Sequence, residues 1–183
     1  MRISNTVTGE LVSEIVKHTD WVLSLAISND GLLLATGDRF GTLLISNAVT
    51  GEPFHTLRGH TGSIHSLVWA ADSNTVMSAG EDGTLRTWDM HEGVQLRALT
   101  AAAGAVLAID ADATGQFVVG GRKGKIEVWQ NPEQRTQEIV MPDEVNELAM
   151  THDGTHIIAA DVTGNVGIYE TSSGQKAGTF SLP

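Results

Sequence analysis

The stretch GEDGTLRTWDM, residues Gly80–Met90, decides how this chain folds. It contains an Asp-Gly pair, which is typical of a tight turn between two strands, and then an alternating segment that carries Trp88. The preceding segment TVMSAG reads as the strand that enters the turn, so the two segments predict a β-hairpin. A Gly-His pair ending in His60 lies upstream of this hairpin. The pattern raises the question of whether His60, Ser78 and Asp82 form a hydrolytic site or a structural contact.

The landmarks of this stretch recur along the chain at a nearly constant interval. The phrase ISNTVTGE at residues 3–10 returns as ISNAVTGE at residues 45–52, a shift of 42 positions, and His18 and His60 are also 42 positions apart. An interval in this range is typical of folds that stack one small unit repeatedly. We therefore predict four repeats that follow the tail of a preceding one. The tail with its outer strand covers 1–17, and the repeats cover 18–58, 59–100, 101–140 and 141–183.

Each repeat carries the pattern of short strands separated by turns. In the second repeat the segments SIHSLVWA, TVMSAG, TLRTWDM and VQLRALT alternate apolar and polar residues, as half-buried strands do. No segment sustains an apolar period of 3.6 residues, so helix is expected to be nearly absent. The predicted fold is all-β, with about sixteen short antiparallel strands and a leading outer strand from ELVSEIV.

Composition and charge limit the functions open to the chain. The sequence is 41% hydrophobic and 18% charged, which is the balance of a globular protein with a packed core. Its net charge of -11 repels a phosphate backbone, so nucleic acid is not expected as a partner. The absence of cysteine excludes thiol nucleophiles and thiolate metal sites. Neither a signal peptide nor a membrane span is predicted, and the compartment stays open, with the cytoplasm slightly favoured.

The second repeat resembles the WD40 repeat family of β-propellers, because GH, SAGEDGT and WD stand at the spacing of that family. The other repeats resemble it in their pattern of turns and strands. The resemblance implies blades of four antiparallel strands stacked around a channel, with the outermost strand of a blade supplied by the flanking repeat. The expected fold is a WD40-type β-propeller with four four-stranded antiparallel blades and an extra N-terminal outer strand, forming part of a larger ring.

The resemblance also implies a structural role for four side chains of the second repeat. In such blades the Trp indole donates to a Ser or Thr hydroxyl, the hydroxyl meets the His, and the His meets the Asp of the turn. The matching residues are Trp88, Ser78, His60 and Asp82. A catalytic triad is the alternative, but a nucleophilic Ser needs an exposed elbow beside an oxyanion hole, and no Gly-x-Ser-x-Gly occurs. We therefore expect a structural tetrad and no catalytic residues.

The other repeats retain only parts of this set. The first repeat keeps His18 and Thr36 but has Phe40 at the Asp position and Ser46 at the Trp position. The third repeat keeps Trp129. The remaining equivalents in the third and fourth repeats are Val119, Lys123, Ala159, Thr163 and Tyr169. Only the second blade is expected to carry the complete set.

Position within the repeats predicts a binding face. The loop entering each first strand and the turn after each second strand should share one face. The loop positions are Trp21, Ser63, Ala105 and Glu144, and the turn positions are Arg39, Phe40, Glu81, Arg122 and Lys123. Trp21 beside Arg39 and Phe40 is a candidate anchor, since aromatic and Arg side chains dominate interface energies. In the alternative, Trp21 fills the space left by the Trp that its own blade lacks. The partner-binding candidates are Trp21, Arg39, Phe40, Glu81, Arg122 and Lys123.

Two further motifs invite a functional interpretation. Three histidines are spaced by five, but strand alternation sends successive positions to opposite faces, so no metal site is expected. They are His55, His60 and His65. The segment GGRKGK at residues 120–125 is similar to a phosphate loop, yet it is one residue short and a strand follows it. We read it as a hairpin turn whose cations, Arg122, Lys123 and Lys125, form the basic cluster of an acidic chain.

Two classes of function fit these observations. The favoured class is a noncatalytic scaffold without a cofactor that displays binding loops and holds another protein or a peptide. The alternative is a propeller-fold enzyme, a hydrolase or lyase, or an accessory domain of a larger multidomain enzyme. Such enzymes gather His and carboxylate groups at the channel mouth, whereas Ser63 and Ala105 interrupt that ring here. We therefore do not expect an enzyme.

The number of blades predicts that the chain is not a closed ring by itself. Four blades are at the lower limit for closure. Outer strands are predicted near both ends, from ELVSEIV and QKAGTFSL, and MRISN reads as the end of a third strand. We expect two exposed blade faces, covered by further blades of a longer chain, by a second copy in a homodimer or by aggregation.

Overall fold

The computed structural model describes residues 2–15 and 17–180, which contain β-strands and no helix. The prediction of an all-β fold is confirmed over these residues. The strands are β1 (Arg2–Ser4), β2 (Leu11–Glu14), β3 (Val22–Ile27), β4 (Leu33–Asp38), β5 (Thr42–Asn47), β6 (Pro53–Arg58), β7 (Ile64–Trp69), β8 (Thr75–Gly80), β9 (Thr84–Asp89), β10 (Val94–Thr100), β11 (Val106–Ala111), β12 (Phe117–Gly121), β13 (Lys125–Asn131), β14 (Gln134–Val140), β15 (Val145–Met150), β16 (His156–Asp161), β17 (Val166–Glu170) and β18 (Lys176–Phe180).

The strands form one two-stranded sheet and four four-stranded antiparallel sheets. The four-stranded sheets run β3-β4-β5-β6, β7-β8-β9-β10, β11-β12-β13-β14 and β15-β16-β17-β18, and we call them blades 1 to 4. Strands β1 and β2 pair with each other and form what we call the half-blade. The strands predicted from MRISN and ELVSEIV lie at Arg2–Ser4 and Leu11–Glu14, which pair in a hairpin.

The repeated phrase ISN-x-VTGE encodes the turn between the third and fourth strands of a sheet. In the second copy, the Asn47 side-chain oxygen accepts hydrogen bonds from the backbone N–H groups of Val49 and Thr50 at 2.9 and 2.8 Å. Gly51 follows with a φ of 74°, which favours glycine. Asn5 holds the turn of the half-blade in the same way. The repeated phrase in the sequence therefore forms the same turn in the half-blade and in blade 1.

Apolar layers between successive blades form the core. The layer between blades 1 and 2 includes Leu43, Ile45 and Ile64, and the Trp69 indole N–H in this layer donates to the Ala26 carbonyl at 3.0 Å. Equivalent layers join blades 2 and 3 and blades 3 and 4. Alternate residues of each strand thus contact opposite neighbours, which is why the strands show a period of two in sequence.

The first strands of the blades lie side by side along the inner edge of the stack. Strand β3 packs against β7, β7 against β11, and β11 against β15. Within the described residues, β15 makes no comparable contact with β3, and no sheet closes into a ring. The architecture therefore consists of propeller blades in an open series.

Candidate functional site

The four predicted side chains of the second repeat form one continuous hydrogen-bonded chain, which we call the Trp88 tetrad. The Trp88 indole N–H on β9 donates to the Ser78 hydroxyl oxygen on β8 at 2.8 Å. The same oxygen lies 2.8 Å from Nε2 of His60, which precedes β7. Nδ1 of His60 lies 3.1 Å from each carboxylate oxygen of Asp82. Because the ionised Asp82 carboxylate beside Nδ1 can only accept, the imidazole carries its proton on Nδ1, and Nε2 accepts from the Ser78 hydroxyl.

Asp82 joins the turn of blade 2 to the loop that carries His60. Its carboxylate accepts from the Thr84 hydroxyl at 2.7 Å and from the Thr84 and Thr61 backbone N–H groups at 3.0 Å each. Burial raises the pKa of Asp82, but these hydrogen bonds and the His60 ring outweigh it and hold the pKa at about 2. Burial also lowers the pKa of His60, against the opposing effect of Asp82. The tetrad therefore combines a neutral imidazole with an ionised carboxylate.

The geometry of Ser78 bears on the alternative of a hydrolytic site. Ser78 is fully buried, and both the indole and the imidazole occupy its hydroxyl. A serine nucleophile must instead be exposed to substrate beside an oxyanion hole. The described residues also contain no cluster of three or more His, Asp or Glu side chains suited to a metal ion. The chemistry available at the tetrad is the satisfaction of buried polar groups.

Blade 1 carries a related contact that the spacing of its residues does not predict. Nδ1 of His18 lies 2.9 Å from the Asp38 carboxylate, and Nε2 lies 2.8 Å from the Thr36 hydroxyl. Phe40 stands at the aspartate position of this repeat, and the carboxylate beside His18 comes from Asp38 instead. Asp38 occupies the position of Gly80 in blade 2, where a Cβ atom would overlap the His60 ring and the Asp82 carboxylate. The carboxylate of blade 1 therefore comes from a position two residues earlier in the repeat than the carboxylate of blade 2, and both contact Nδ1 of their histidine.

Blades 3 and 4 hold their loops with other carboxylates. In blade 3, the buried Glu127 accepts from the backbone N–H of Ala103 at 3.0 Å. In blade 4, Asp161 accepts from the backbone N–H groups of Thr163 and Asn165 at 3.0 and 2.9 Å. Every blade thus has an acidic side chain at this end, although only blade 2 has the full tetrad.

The loops and turns predicted to share a face do so, and we call this surface the loop face. In each blade, the backbone N–H of a turn residue donates to the carbonyl of the residue in the entering loop. The pairs are Arg39 to Trp21 at 3.0 Å, Glu81 to Ser63 at 2.8 Å, Arg122 to Ala105 at 3.0 Å and Val162 to Glu144 at 3.1 Å. These hydrogen bonds give the loop face a regular backbone frame.

Two large aromatic side chains project from the blade 1 part of the loop face. Trp21 is 71% exposed and Phe40 is 69% exposed. The Arg39 guanidinium carbon lies 5.7 Å from the centre of the Trp21 ring, within cation–π range. The alternative in which Trp21 fills a gap inside its own blade was wrong, because the ring lies outside the core.

The charged candidates of the loop face form a network across the blades. Arg122 of blade 3 binds Glu81 of blade 2, with one contact of 2.6 Å, and lies 3.7 Å from Glu144 of blade 4. His65 approaches Glu81 at 2.7 Å from the other side. Burial raises the pKa of Glu81, but the opposing effects of His65 and Arg122 are larger together, so the net shift of the pKa is downward. Lys123 has no carboxylate partner within the described part of the chain.

The predicted basic cluster is therefore not a cluster of free cations. Arg122 is paired as described, and Lys125 pairs with Glu138 at 2.7 Å on the outer side of blade 3. Neighbouring strands bring these carboxylates close, and sequence spacing alone did not reveal them. Arg39 and Lys123 remain as the cations of the loop face without carboxylate partners among the described residues.

Comparison with known proteins identifies the repeats. Residues 9–42 and 51–89 match the WD40 family, described as WD domain, G-beta repeat. The second match starts before the outer strand β6 of blade 1 and ends with β9 of blade 2, so a sequence repeat is one strand out of phase with a sheet. No curated protein matches the chain. No helix in the described residues is long and apolar enough to cross a membrane. The chain therefore contains WD40 repeats at these residues, and its four-stranded antiparallel sheets are consistent with the blades of that family.

Proposed function

We propose that this chain is a noncatalytic scaffold that binds another protein or a peptide through the blade 1 part of its loop face. WD40 repeats generally serve as protein-interaction scaffolds and are typically not enzymes. The observation that carries the proposal is the exposure of Trp21 and Phe40, with the Arg39 guanidinium against the Trp21 ring. Aromatic and Arg side chains contribute most to the energy of protein interfaces.

The backbone around these side chains supports a preformed binding site. The Arg39 N–H donates to Trp21, and the Asp38 carboxylate accepts from the Phe40 N–H at 3.0 Å. The Ser63 hydroxyl of blade 2 donates to the Arg39 carbonyl at 3.2 Å, which ties this turn to the next blade. A surface held in this way loses little conformational entropy when a partner binds.

Charge also favours the blade 1 part over the rest of the loop face. Glu81 and Arg122 largely neutralise each other, whereas Arg39 contacts the Trp21 ring and pairs with no carboxylate among the described residues. A partner carboxylate can therefore approach Arg39 without displacing an existing ion pair. The blade 1 part offers apolar area and an available cation side by side.

Selection of binding peptides tests this function. Random peptides displayed on phage are selected on the purified chain, and dissociation constants are then measured for the synthetic peptides. We expect Trp21→Ala and Phe40→Ala each to weaken binding at least tenfold. Truncation of an aromatic hot-spot residue to alanine costs about 2 kcal/mol or more of binding free energy.

Phe54→Ala is the matched control. Phe54 is an exposed aromatic on the outer strand β6, away from the loop face. Its substitution should leave the affinity unchanged. A selection that yields no binders, or binders that tolerate both loop-face substitutions, would contradict the proposal.

A further inference from the structure

A cavity of about 210 Å³ lies between blades 2 and 3. It is found beside the turns that join the first and second strands of these blades, whereas the loop face is formed at the turns after the second strands. Both blades have all four of their strands, so the cavity is a feature of the packing between two complete sheets. Its lining is mostly apolar and includes Met77, Thr87 and Leu96 of blade 2 with Ala111 and Phe117 of blade 3.

A tryptophan side chain takes up the equivalent space between blades 1 and 2. Trp69 on β7 lies opposite Val76, and Ala111 on β11 lies opposite Phe117. Val76 and Phe117 each lie opposite the tryptophan on the third strand of their blade, so Ala111 is the counterpart of Trp69. Trp69 is 5% exposed in the apolar layer between blades 1 and 2. The cavity therefore lies where blade 3 has a methyl group in place of an indole ring.

A threonine hydroxyl without a protein partner borders the cavity. Thr87 is 5% exposed, and its hydroxyl makes no hydrogen bond within the part of the chain that the structure describes. The hydroxyl is not one of the fully enclosed polar atoms, so it is open to the cavity that Thr87 lines. Its counterparts in blades 1 and 3 are Ile45 and Val128, which are fully buried in apolar layers. A ligand with a polar atom can supply the hydrogen bond that the Thr87 hydroxyl lacks.

The walls of the cavity favour an aromatic ligand. Phe117 lines it and stacks on Trp129, with ring centres 5.9 Å apart and ring planes 5° from parallel. Met77 lines it on the side of blade 2, and both aromatic rings and thioether sulfur make favourable contacts with a further ring. Beside the opening, Arg97 of blade 2 binds Glu133 of blade 3 at 2.6 Å. This ion pair across the blade boundary favours a small molecule over a polypeptide segment.

We propose that this cavity binds a small planar aromatic molecule of the size of indole, whose ring N–H donates to the Thr87 hydroxyl. The size follows from Trp69, because its indole ring occupies the equivalent space one blade earlier. An apolar protein cavity of roughly 150 Å³ is large enough to bind benzene. Burial of the ring provides the affinity, and the single hydroxyl fixes the orientation of the ligand.

Titration of the full chain with indole and with benzofuran tests the site. Benzofuran has the shape of indole but lacks the N–H donor. Calorimetry should show one-to-one binding of indole and weaker binding of benzofuran, by roughly threefold to tenfold, which is the usual effect of one hydrogen bond. Thr87→Val should reduce the affinity for indole to that for benzofuran. In spectra of isotope-labelled methionine methyl groups, the Met77 signal should shift on binding, whereas the signal of Met90, between blades 1 and 2, should not.

Substitutions at the counterpart of Trp69 locate the ligand. Ala111→Trp should fill the cavity and abolish binding. Ala111→Met is a second variant, since blade 4 has Met150 at this position, and it should weaken binding by about tenfold or more. Ala113→Met, at an exposed position of the following turn, is the matched control and should bind indole normally. Trp21→Ala should also bind indole normally, which separates this site from the proposed loop-face function.

Four outcomes would overturn the proposal. The first is no binding of indole or benzofuran. The second is binding that leaves the Met77 signal in place or survives both substitutions of Ala111. The third is equal affinity for indole and benzofuran, because the Thr87 hydroxyl would then have no part in binding. The fourth is tighter binding of the peptide Gly-Trp-Gly than of indole, because the occupant would then be a side chain of a partner protein.

Discussion

Ser78 and Ser46 are both fully buried serines on blade strands, yet their hydroxyl groups have opposite surroundings. Ser78 contacts Trp88 and His60 at 2.8 Å each. The Ser46 hydroxyl has no hydrogen-bond partner in the described protein, because serine here replaces the tryptophan of the tetrad. Burying a hydroxyl is unfavourable unless a hydrogen bond compensates for the lost water.

This contrast predicts different effects from the same substitution. Ser78→Ala leaves the indole N–H of Trp88 without its acceptor, and we expect it to lower the free energy of unfolding by about 1 to 3 kcal/mol. Ser46→Ala removes a hydroxyl that has no partner, so stability should stay the same or rise. Urea denaturation of both variants measures the difference. Equal losses would show that the tetrad contacts contribute nothing specific.

Sequence spacing predicted which four residues meet in blade 2 but not the contact in blade 1. The spacing places Phe40 at the aspartate position, whereas the carboxylate beside His18 comes from Asp38. The two carboxylates reach equivalent points in space from positions two residues apart, which a fixed spacing does not describe. The useful signal was the acidic residue at the strand end where blade 2 has Gly80.

At the scale of strands, β12 and β13 of blade 3 retain the tryptophan of the tetrad but not its serine. Trp129 lies opposite Phe117 in the same register that places Trp88 opposite Val76. The serine position two residues further along is Val119, and the indole Nε1 of Trp129 is buried without an acceptor. A hydroxyl at position 119 would stand where Ser78 stands relative to Trp88.

Val119→Thr should therefore stabilise the chain. The new hydroxyl accepts from Trp129, and we expect a gain of about 1 kcal/mol in the free energy of unfolding. Val118→Thr is the control, because Val118 is equally buried on the opposite face and packs in the apolar layer toward blade 4. Val118→Thr should lower the free energy of unfolding by about 1 to 3 kcal/mol, because its hydroxyl is placed in apolar surroundings. Destabilisation by both substitutions would refute the equivalence of the two strand pairs.

The strands themselves were predictable because their faces differ in chemistry. Alternation in SIHSLVWA and TLRTWDM follows from one face meeting the preceding blade and the other meeting the next. Contacts between blades were not predictable in this way. Glu81 and Arg122 are 41 positions apart, and the relative placement of two blades brings them together.

At the scale of the whole molecule, the two titrating groups of the tetrad make stability depend on pH in the same direction. The pKa of His60 lies below its ordinary 6.5 in the folded chain, chiefly through burial. Below pH 6.5, the unfolded chain binds a proton that the folded chain does not, so folding loses stability as pH falls. The pKa of Asp82 is lowered from 3.8 to about 2, so its contribution is lost between those values.

Thermal melting at several pH values tests this dependence. We expect the melting temperature to fall from pH 7.5 to pH 5.5, roughly the range in which histidine titrates. His60→Asn should reduce this fall, because asparagine does not titrate. His91→Asn, on an exposed turn of the same blade, should retain it. The same slope in His60→Asn and the unaltered chain would exclude His60 as the source.

The one-strand offset between sequence repeats and sheets has a consequence for synthesis on the ribosome. Domains acquire structure from the N-terminal end as the chain emerges. Strand β6 completes blade 1 but belongs to the segment that continues into β7, β8 and β9 of blade 2. The strand that finishes one sheet is therefore the leading end of the next repeat. The apolar face of a new sheet is therefore completed just before the residues that will cover it emerge. This order shortens the time during which the face can make nonspecific contacts.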